Sequence, residues 1–198
     1  ADWLFSYFKE ISGIRIPANV SDIDKNVFFD CNGLNKIEVD ELNRCFSSDN
    51  GVLFNKAKTK LIQYPVGKTD VEYTVPEGVT TIGDYSFFSC VNLNNIKMPR
   101  ELKTIEKGAF KECTDLDNVE IPKGATYIGG QAFHGCGGLN QIVISETVTN
   151  IDMDAFNGCD NLTIYGIANS YAEKYANENG INFSALEEFI VENGVLIE

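Results

Sequence analysis

A period of 23 residues constrains most of this 198-residue chain. Ile82, Ile105, Ile128 and Ile151 each lie 23 residues after the one before, and each begins a similar unit. The clearest unit carries its apolar residues, before a closing Pro122, at Ile105, Ala109, Phe110, Cys113, Leu116, Val119 and Ile121. A fixed period of this length is typical of solenoids, in which each unit buries its apolar side only against its neighbours.

Each unit contains two predicted elements. The pattern Leu-x-x-Ile-x-Ile-Pro alternates apolar and polar residues, which indicates a short strand, and proline ends it because it lacks an amide donor. The pattern Ala-Phe-x-x-Cys-x-x-Leu has apolar residues three apart, which indicates a helical turn with one buried face. We therefore expect an α/β repeat solenoid with short parallel strands on one face and short helical turns on the other.

The period breaks once. Ile23 and Ile82 are 59 residues apart, which is one period plus 36 residues, and the extra residues fall at about 40–70. Asn50 and Gly51 stand between apolar runs and both tolerate positive φ, so they predict a hairpin turn. We expect a β-hairpin or a three-stranded excursion from the rod, within a repeat array that occupies residues 1–164.

The repeat is followed by a helix signal. Ser170 and Glu173 form a capping-box pattern, and Gly180 is placed to end the helix. Residues 165–186 are therefore expected to form a C-terminal capping helix and a last strand. Residues 189–197 match residues 46–54 in residue type, so 187–198 is interpreted as the truncated start of a further repeat block.

The charge and the hydropathy of the chain argue against two classes of partner, nucleic acids and membranes. The net charge is −13, and an acidic chain without a basic stripe is a poor nucleic-acid binder. No apolar run approaches about 20 residues, so membrane insertion is not expected.

Five of the six cysteines occupy one slot of the repeat and are predicted to be buried free thiols: Cys31, Cys90, Cys113, Cys136 and Cys159. Cys45 lies outside the frame and is expected to be exposed.

Catalytic and metal-binding patterns are sparse in this sequence. His134 is the single histidine, in a slot that elsewhere holds Phe, Lys or Asn, so we expect it to face solvent. There is no G-x-S-x-G motif and no C-x-x-C pair. The segment from Asp22 begins like a calcium loop, but Val27 stands where glycine is required. We therefore predict no catalytic residue, no metal site, no cofactor and no enzymatic activity.

The strand residues between the two core positions are candidate binding residues. In a parallel stack they form one outward column, which consists of Arg15, Glu38, Thr74, Lys97, Glu120 and Val143. Cross-strand pairs of opposite charge are expected between Arg15 and Glu38 and between Lys97 and Glu120. The column is either a solvated ladder that sets strand register or part of a ligand-binding face. Phe29 and Phe88 flank the insertion, and either pack beneath it or form an exposed aromatic patch.

The unit Ile-x-x-x-Ala-Phe-x-x-Cys-x-x-Leu-x-x-Ile-x-Ile-Pro resembles the BspA-like, or treponemal-type, leucine-rich repeats. Residues 165–183 resemble the helical segment that often follows such arrays. Two units depart from the pattern, because Val27 and Ser86 replace the alanine. The resemblance implies a right-handed curved rod with a parallel sheet, and proteins that are mostly bacterial and secreted or surface-attached.

The function expected from this resemblance is a noncatalytic binding or adhesion segment of a larger bacterial protein. It would be extracellular or on the cell surface, act as a monomer, and recognise a protein or glycan ligand through the repeat surface. Two alternatives stay open at this point. The chain could be a structural spacer that displays other domains, or it could carry a carbohydrate-active enzyme site with two carboxylates on the concave face.

Overall fold

The computed structural model describes residues 10–25, 27–29, 31–186, 190–192 and 195–197, and it is a parallel β-solenoid of about seven turns. Its strands, in chain order, are β1 Gly13–Ile16, β2 Lys36–Val39, β3 Phe46–Asp49, β4 Val52–Asn55, β5 Lys60–Gln63, β6 Glu72–Thr74, β7 Thr81–Ile82, β8 Asn95–Lys97, β9 Thr104–Ile105, β10 Asn118–Ile121, β11 Tyr127–Ile128, β12 Gln141–Ile144, β13 Asn150–Ile151, β14 Thr163–Gly166, β15 Asn182–Ala185, β16 Ile190–Glu192 and β17 Val195–Ile197. The helix α1 is Tyr171–Asn179.

The predicted strands form a six-stranded sheet in the order β15-β14-β12-β10-β8-β6. Its pairs are parallel, and residues one unit apart are aligned, such as Val119 with Ile142. Within each of the four inner strands the core-facing residues are buried and their neighbours are more exposed, as at Ile96 in β8. The alternation in the sequence therefore gives the inward and outward faces of this sheet correctly.

A second sheet was not predicted. The leading isoleucines of the last four units lie in two-residue strands that pair in parallel, with Ile82, Ile105, Ile128 and Ile151 aligned. The sheet has seven strands in the order β13-β11-β9-β7-β5-β4-β3. Two residues are too short a stretch for an alternating pattern to show, so only the stacking of units reveals these strands.

The predicted helical turns are turns and not helices, which corrects the α/β part of the fold class. Left-handed residues interrupt those of the last four units, including Tyr85 (φ 53), Gln131 (φ 57) and Glu112 (φ 61). Instead of bonding four residues back, amides of one turn donate to the neighbouring unit, as Phe110 N does to Ala132 O at 2.7 Å. Among the described residues, α1 is the one α-helix.

Aromatic rings stack through the centre of the solenoid. The rings of Phe87, Phe110, Phe133 and Phe156 lie with successive centroids 4.9, 5.1 and 5.2 Å apart and nearly parallel. Tyr64 of the insertion continues the stack at one end, 5.0 Å from Phe87. At the other end, Tyr175 of α1 meets Phe156 edge-on at 5.9 Å. The stack links the insertion, the repeats and the helix in one core.

The repeated cysteines pack beside this stack. All six cysteines are free thiols; five are buried, and Cys45 is exposed, as predicted. The thiols of Cys113 and Cys136 each donate to a phenylalanine carbonyl of the preceding unit at 3.0 Å. Burial raises the pKa of Cys113 to about 12, so this thiol stays protonated and unreactive near neutral pH.

The insertion is not an excursion from the rod, because its third strand, β5, is part of a sheet of the solenoid. β3 and β4 pair antiparallel around Asn50 and Gly51, which have φ of 48° and 80°. β5 then pairs antiparallel with β4 and parallel with β7, with Leu61 aligned to Ile82. β4 separates two cores, because Leu53 packs in the cluster of the first units whereas Phe54 packs in the main cluster.

The C-terminal helix has the predicted caps. The Ser170 hydroxyl accepts from the Glu173 amide at 3.4 Å, and Gly180 is left-handed with φ of 67°. The Glu173 carboxylate accepts from the amide of Asn169 and not from that of Ser170. In the segment 187–198, β16 and β17 pair with Glu192 opposite Val195, as Asp49 pairs with Val52; the rest of that segment lies outside the described residues.

Candidate ligand-binding surface

The outward face of the six-stranded sheet carries two columns of side chains. One column contains Thr74, Lys97, Glu120, Val143, Tyr165 and Ser184. The other is two residues earlier in each strand and contains Glu72, Asn95, Asn118, Gln141, Thr163 and Asn182. Most of these residues are exposed or half-buried and polar, which is the composition of a face that water or a ligand covers.

A groove of about 650 Å³ opens on this face. Its polar lining comes from Asn95, Lys97, Arg100, Asn118, Glu120 and Gln141, and its apolar lining from Ile96, Met98, Val119, Pro122 and Val143. The volume lies in the range of small-ligand sites, about 300–1,000 Å³. Three of the predicted binding residues, Lys97, Glu120 and Val143, therefore share one groove.

The predicted column is broken at the insertion, which corrects its extent. Arg15 and Glu38 are aligned on the separate two-stranded sheet β1-β2, and β6 is the edge of the six-stranded sheet. The reason is that β2 meets the hairpin instead, where the Ile37 amide donates to Gly51 O at 2.9 Å. Thr74 lies on β6, beside Lys97. Arg15 and Glu38 therefore do not share the groove.

Neither predicted cross-strand pair is a salt bridge. Arg15 binds Asp40 at 3.1 Å, and Glu38 binds Lys36 at 2.6 Å. The neighbouring Lys36 ammonium lowers the pKa of Glu38 from its ordinary value. In the described part of the chain, Lys97 and Arg100 form no salt bridge, although eight other basic side chains do: those of Arg15, Lys25, Lys36, Lys58, Lys60, Lys68, Lys123 and Lys174. The groove therefore holds two cations outside any salt bridge, although the charge of Arg100 acts on the nearby Glu77 and Glu101 and favours their ionised forms.

The groove lining includes one carboxylate, that of Glu120. A glycosidase needs two carboxyl groups that flank the scissile bond, and the described lining of this groove does not supply that pair. Glu77 and Glu101 lie close to each other on exposed loops outside the groove lining. That contact raises the pKa of Glu77 and lowers the pKa of Glu101.

Phe29 and Phe88 lie on the turn side of the solenoid, and neither lines the groove. Their ring centroids are 4.4 Å apart, and Tyr85 lies 5.4 Å from Phe29. Both rings are half-buried, and with Gln63 and Val66 of the insertion they border a small cavity of about 10 Å³. They pack on each other and on Tyr85, across the point where the first units meet the main array.

His134 is half-buried, so the expectation of a solvent-facing side chain is wrong. Its Nδ1 atom is buried and has no hydrogen-bond partner among the described residues. In the same residues, no three His, Cys, Asp or Glu side chains are grouped so that they could hold a metal ion. No described helix combines the length and the apolar character that crossing a membrane requires.

Sequence reasoning missed the amide column of Asn95, Asn118 and Gln141. The signal was present, because these residues come directly before the first core position of each strand, and alternation puts them on the outward face. Arg100 lies three residues after the end of β8, behind Pro99, and no strand pattern reaches it. Its place in the groove depends on the path of the loop.

The family model for the BspA type leucine rich repeat region matches residues 1–74 and 68–187, with six copies. The match covers most of the chain, so the chain belongs to this family of leucine-rich repeats. No curated protein matches the chain.

Several solved structures share the fold. A leucine-rich repeat protein from Eubacterium ventriosum is 33% identical with a TM-score of 0.71, over 79% of this chain and 42% of that one. A leucine rich cell surface protein from Faecalibacterium prausnitzii is 29% identical with a TM-score of 0.60, over 84% and 50%. The pneumococcal vaccine antigen PcpA, at 21% identity and a TM-score of 0.63 over 89% and 56%, shows the fold alone. The chain thus spans about half the length of these structures.

Proposed function

We propose that this chain is a noncatalytic binding segment of a bacterial repeat protein that is secreted or attached to the cell surface. The observation that carries the proposal is the groove on the outward face of the six-stranded sheet, which brings Lys97, Glu120 and Val143 together. A cell surface protein among the similar structures supports the location. The expected ligand is a protein or a glycan, and the chain is expected to bind it as a monomer.

The core gives this groove a fixed shape. Ile96 and Val119 anchor its strands from below and are 3% exposed, while the outward residue that follows each core position differs from unit to unit. A rigid backbone that presents variable residues loses little conformational freedom on binding, which favours affinity. We further propose that the rod is right-handed and curved with this face concave, and that α1 covers its apolar end through Tyr175.

The same proposal divides the chain into an array at 1–164, a cap at 165–186 and the start of a further block at 187–198. The matching registers of the β3-β4 and β16-β17 hairpins support that last boundary. A deletion after residue 186 tests the division, because it should leave the thermal stability and the ligand binding of residues 1–186 unchanged. A loss of either would contradict it.

A charge swap tests the binding face. Lys97→Glu combined with Glu120→Lys keeps the net charge and reverses two charges in the groove. On an array of extracellular matrix proteins and glycans, we expect the natural chain to bind and the swapped chain to lose that signal, with unchanged circular dichroism. Lys36→Glu combined with Glu38→Lys is the matched control, since that salt bridge lies on the separate two-stranded sheet.

Three results would contradict the proposal. No binding to any arrayed ligand would support the spacer hypothesis. If both swapped chains lost binding equally, the loss would come from a general effect of charge reversal on folding or on the surface charge, and not from the groove. Release of product from an arrayed glycan would show that the segment is an enzyme.

A further inference from the structure

The groove carries a ladder of side-chain amides. Asn95, Asn118 and Gln141 are aligned on β8, β10 and β12, and each is exposed or half-buried. Within the described chain, the Asn95 and Gln141 amides have no protein hydrogen-bond partner, and Asn118 uses only Nδ2, which donates to Asp117 at 2.8 Å. An amide both donates and accepts, as a sugar hydroxyl does, so the ladder offers partners for a row of hydroxyls.

The spacing of the ladder fits a chain of sugars. Neighbouring strands lie about 4.8 Å apart, so equivalent amides recur at that distance across the sheet. This is close to the length of one sugar unit in an extended oligosaccharide. Three amide-bearing strands can thus address three consecutive units, and Met98 and Val143 add apolar groups to the same lining.

The charges of the groove are concentrated at one end of this ladder. Lys97 lies on β8, and Arg100 lies in the loop that follows it; neither is in a salt bridge within the described chain. Glu120, on the next strand, is the groove's one carboxylate. In a protein of net charge −13, this end is complementary to a single anionic group, whereas a polyanion would meet Glu120 and the acidic chain around it.

The lining favours a saccharide over a protein partner. Protein interfaces concentrate their binding energy in aromatic and arginine anchors in desolvated pockets. The groove lining contains Arg100 but no aromatic residue, and half of its polar residues are the amides of Asn95, Asn118 and Gln141. Hydroxyl-rich ligands match that composition better than a protein surface does.

We propose that the groove binds a short, extended oligosaccharide that carries one carboxylate, with the carboxylate at Lys97 and Arg100 and neutral units along the amide ladder. This inference rests on the proposed function and names its ligand class. The probe is 3′-sialyllactose, which has three sugar units and one carboxylate; lactose, which lacks the charged unit, is its neutral counterpart.

Isothermal titration calorimetry of the full chain, with each sugar up to about 10 mM so that a Kd near 1 mM is measurable, tests the inference. We expect 3′-sialyllactose to bind, lactose to bind at least threefold more weakly, and added salt to reduce the difference. Lys97→Gln should weaken sialyllactose binding about threefold to fivefold, the effect of one exposed ion pair. Lys107→Gln makes the same charge change on an exposed residue outside the groove lining and should leave binding unchanged.

Asn95→Ala should weaken both sugars by a similar factor, about threefold to tenfold, because it removes a hydrogen bond and not a charge. Its matched control is Asn177→Ala, at an exposed position on α1. Absence of sialyllactose binding, equal binding of the two sugars, or an equal effect of Lys107→Gln would overturn the inference. If matrix proteins bind and the Lys97/Glu120 swap abolishes that binding while sialyllactose does not bind, the saccharide inference is wrong and the proposed function stands.

Discussion

Replacing Asn43 should release the first two units from the rest of the solenoid. This side chain is 1% exposed and makes four hydrogen bonds. Its Nδ2 donates to Pro17 O at 2.8 Å and to Val20 O at 2.9 Å, and its Oδ1 accepts from the amides of Cys45 and Phe46, both at 2.8 Å. One amide thus joins the first unit to the start of the insertion.

The expected cost of Asn43→Ala follows from these bonds. Each contributes about 1 kcal/mol net, and water can reach some of the freed groups, so the loss is about 3 kcal/mol. The apolar cluster of Ile16, Phe28 and Ile37 is separate from the main one, so this loss should fall on the first units alone. A local opening that is easier by about 3 kcal/mol exchanges its amides more than 100-fold faster.

Hydrogen exchange followed by mass spectrometry measures this effect. Peptides from residues 13–39 should exchange faster in Asn43→Ala, while peptides from residues 118–166 keep their natural rates. Asn43→Asp should behave similarly at neutral pH, because a carboxylate oxygen would face the carbonyls of Pro17 and Val20. Asn140→Ala is the control, since its exposed amide makes one bond, to Asp117 at 2.9 Å.

A rise of less than threefold in residues 13–39 would refute the role assigned to Asn43. An equal rise along the whole chain would refute the separation of the two cores, because it would mean that the solenoid opens as one unit.

Four further predictions concern the packing of the interior and the cysteines. Gly67→Ala should lower the Tm by several degrees, because a Cβ there would lie 2.7 Å from backbone atoms of residues 32–34; Gly137→Ala, with open space around it, should not, and equal Tm values would contradict the tight junction. Phe110→Ala should cost about 3–5 kcal/mol in urea unfolding, and a cost under 1 kcal/mol would mean that the ring stack is not a main source of stability. At pH 8, a thiol reagent should modify Cys45 alone in the native chain and six thiols after denaturation. Burial raises the pKa of Cys113 from 9.0 to about 12, so the stability from its protonated thiol is complete below pH 9 and is lost as the pH rises towards 12.

The repeat could be recognised from the sequence because each of its recurring positions within the chain has one structural role. Phe110 stacks on its copies, Cys113 donates to a carbonyl of the preceding unit, and Val119 faces inward. The helical turns were predicted wrongly because spacing of three residues fits both a helix and a bent turn. Left-handed residues such as Glu112 decide between them, and their conformation is set by hydrogen bonds to the next unit.

The candidate site was predictable in part. Alternation placed Lys97, Glu120 and Val143 on one face, and the structure places them in one groove. The same rule extended the column to Arg15 and Glu38 and was wrong there, because a sequence period cannot show where a sheet ends. The turn at Gly51 hydrogen-bonds to β2 on the side where β6 would otherwise pair, so β2 and β6 do not join in one sheet.

By itself, the sequence determined the family, the period, the buried slots and the outward strand residues, since each follows from local spacing and from the need to bury apolar side chains. The tertiary structure decided the second sheet, the break at the insertion and the position of Arg100 beside Lys97 in one groove. These features depend on contacts between residues from different units, and such contacts form only when the units stack.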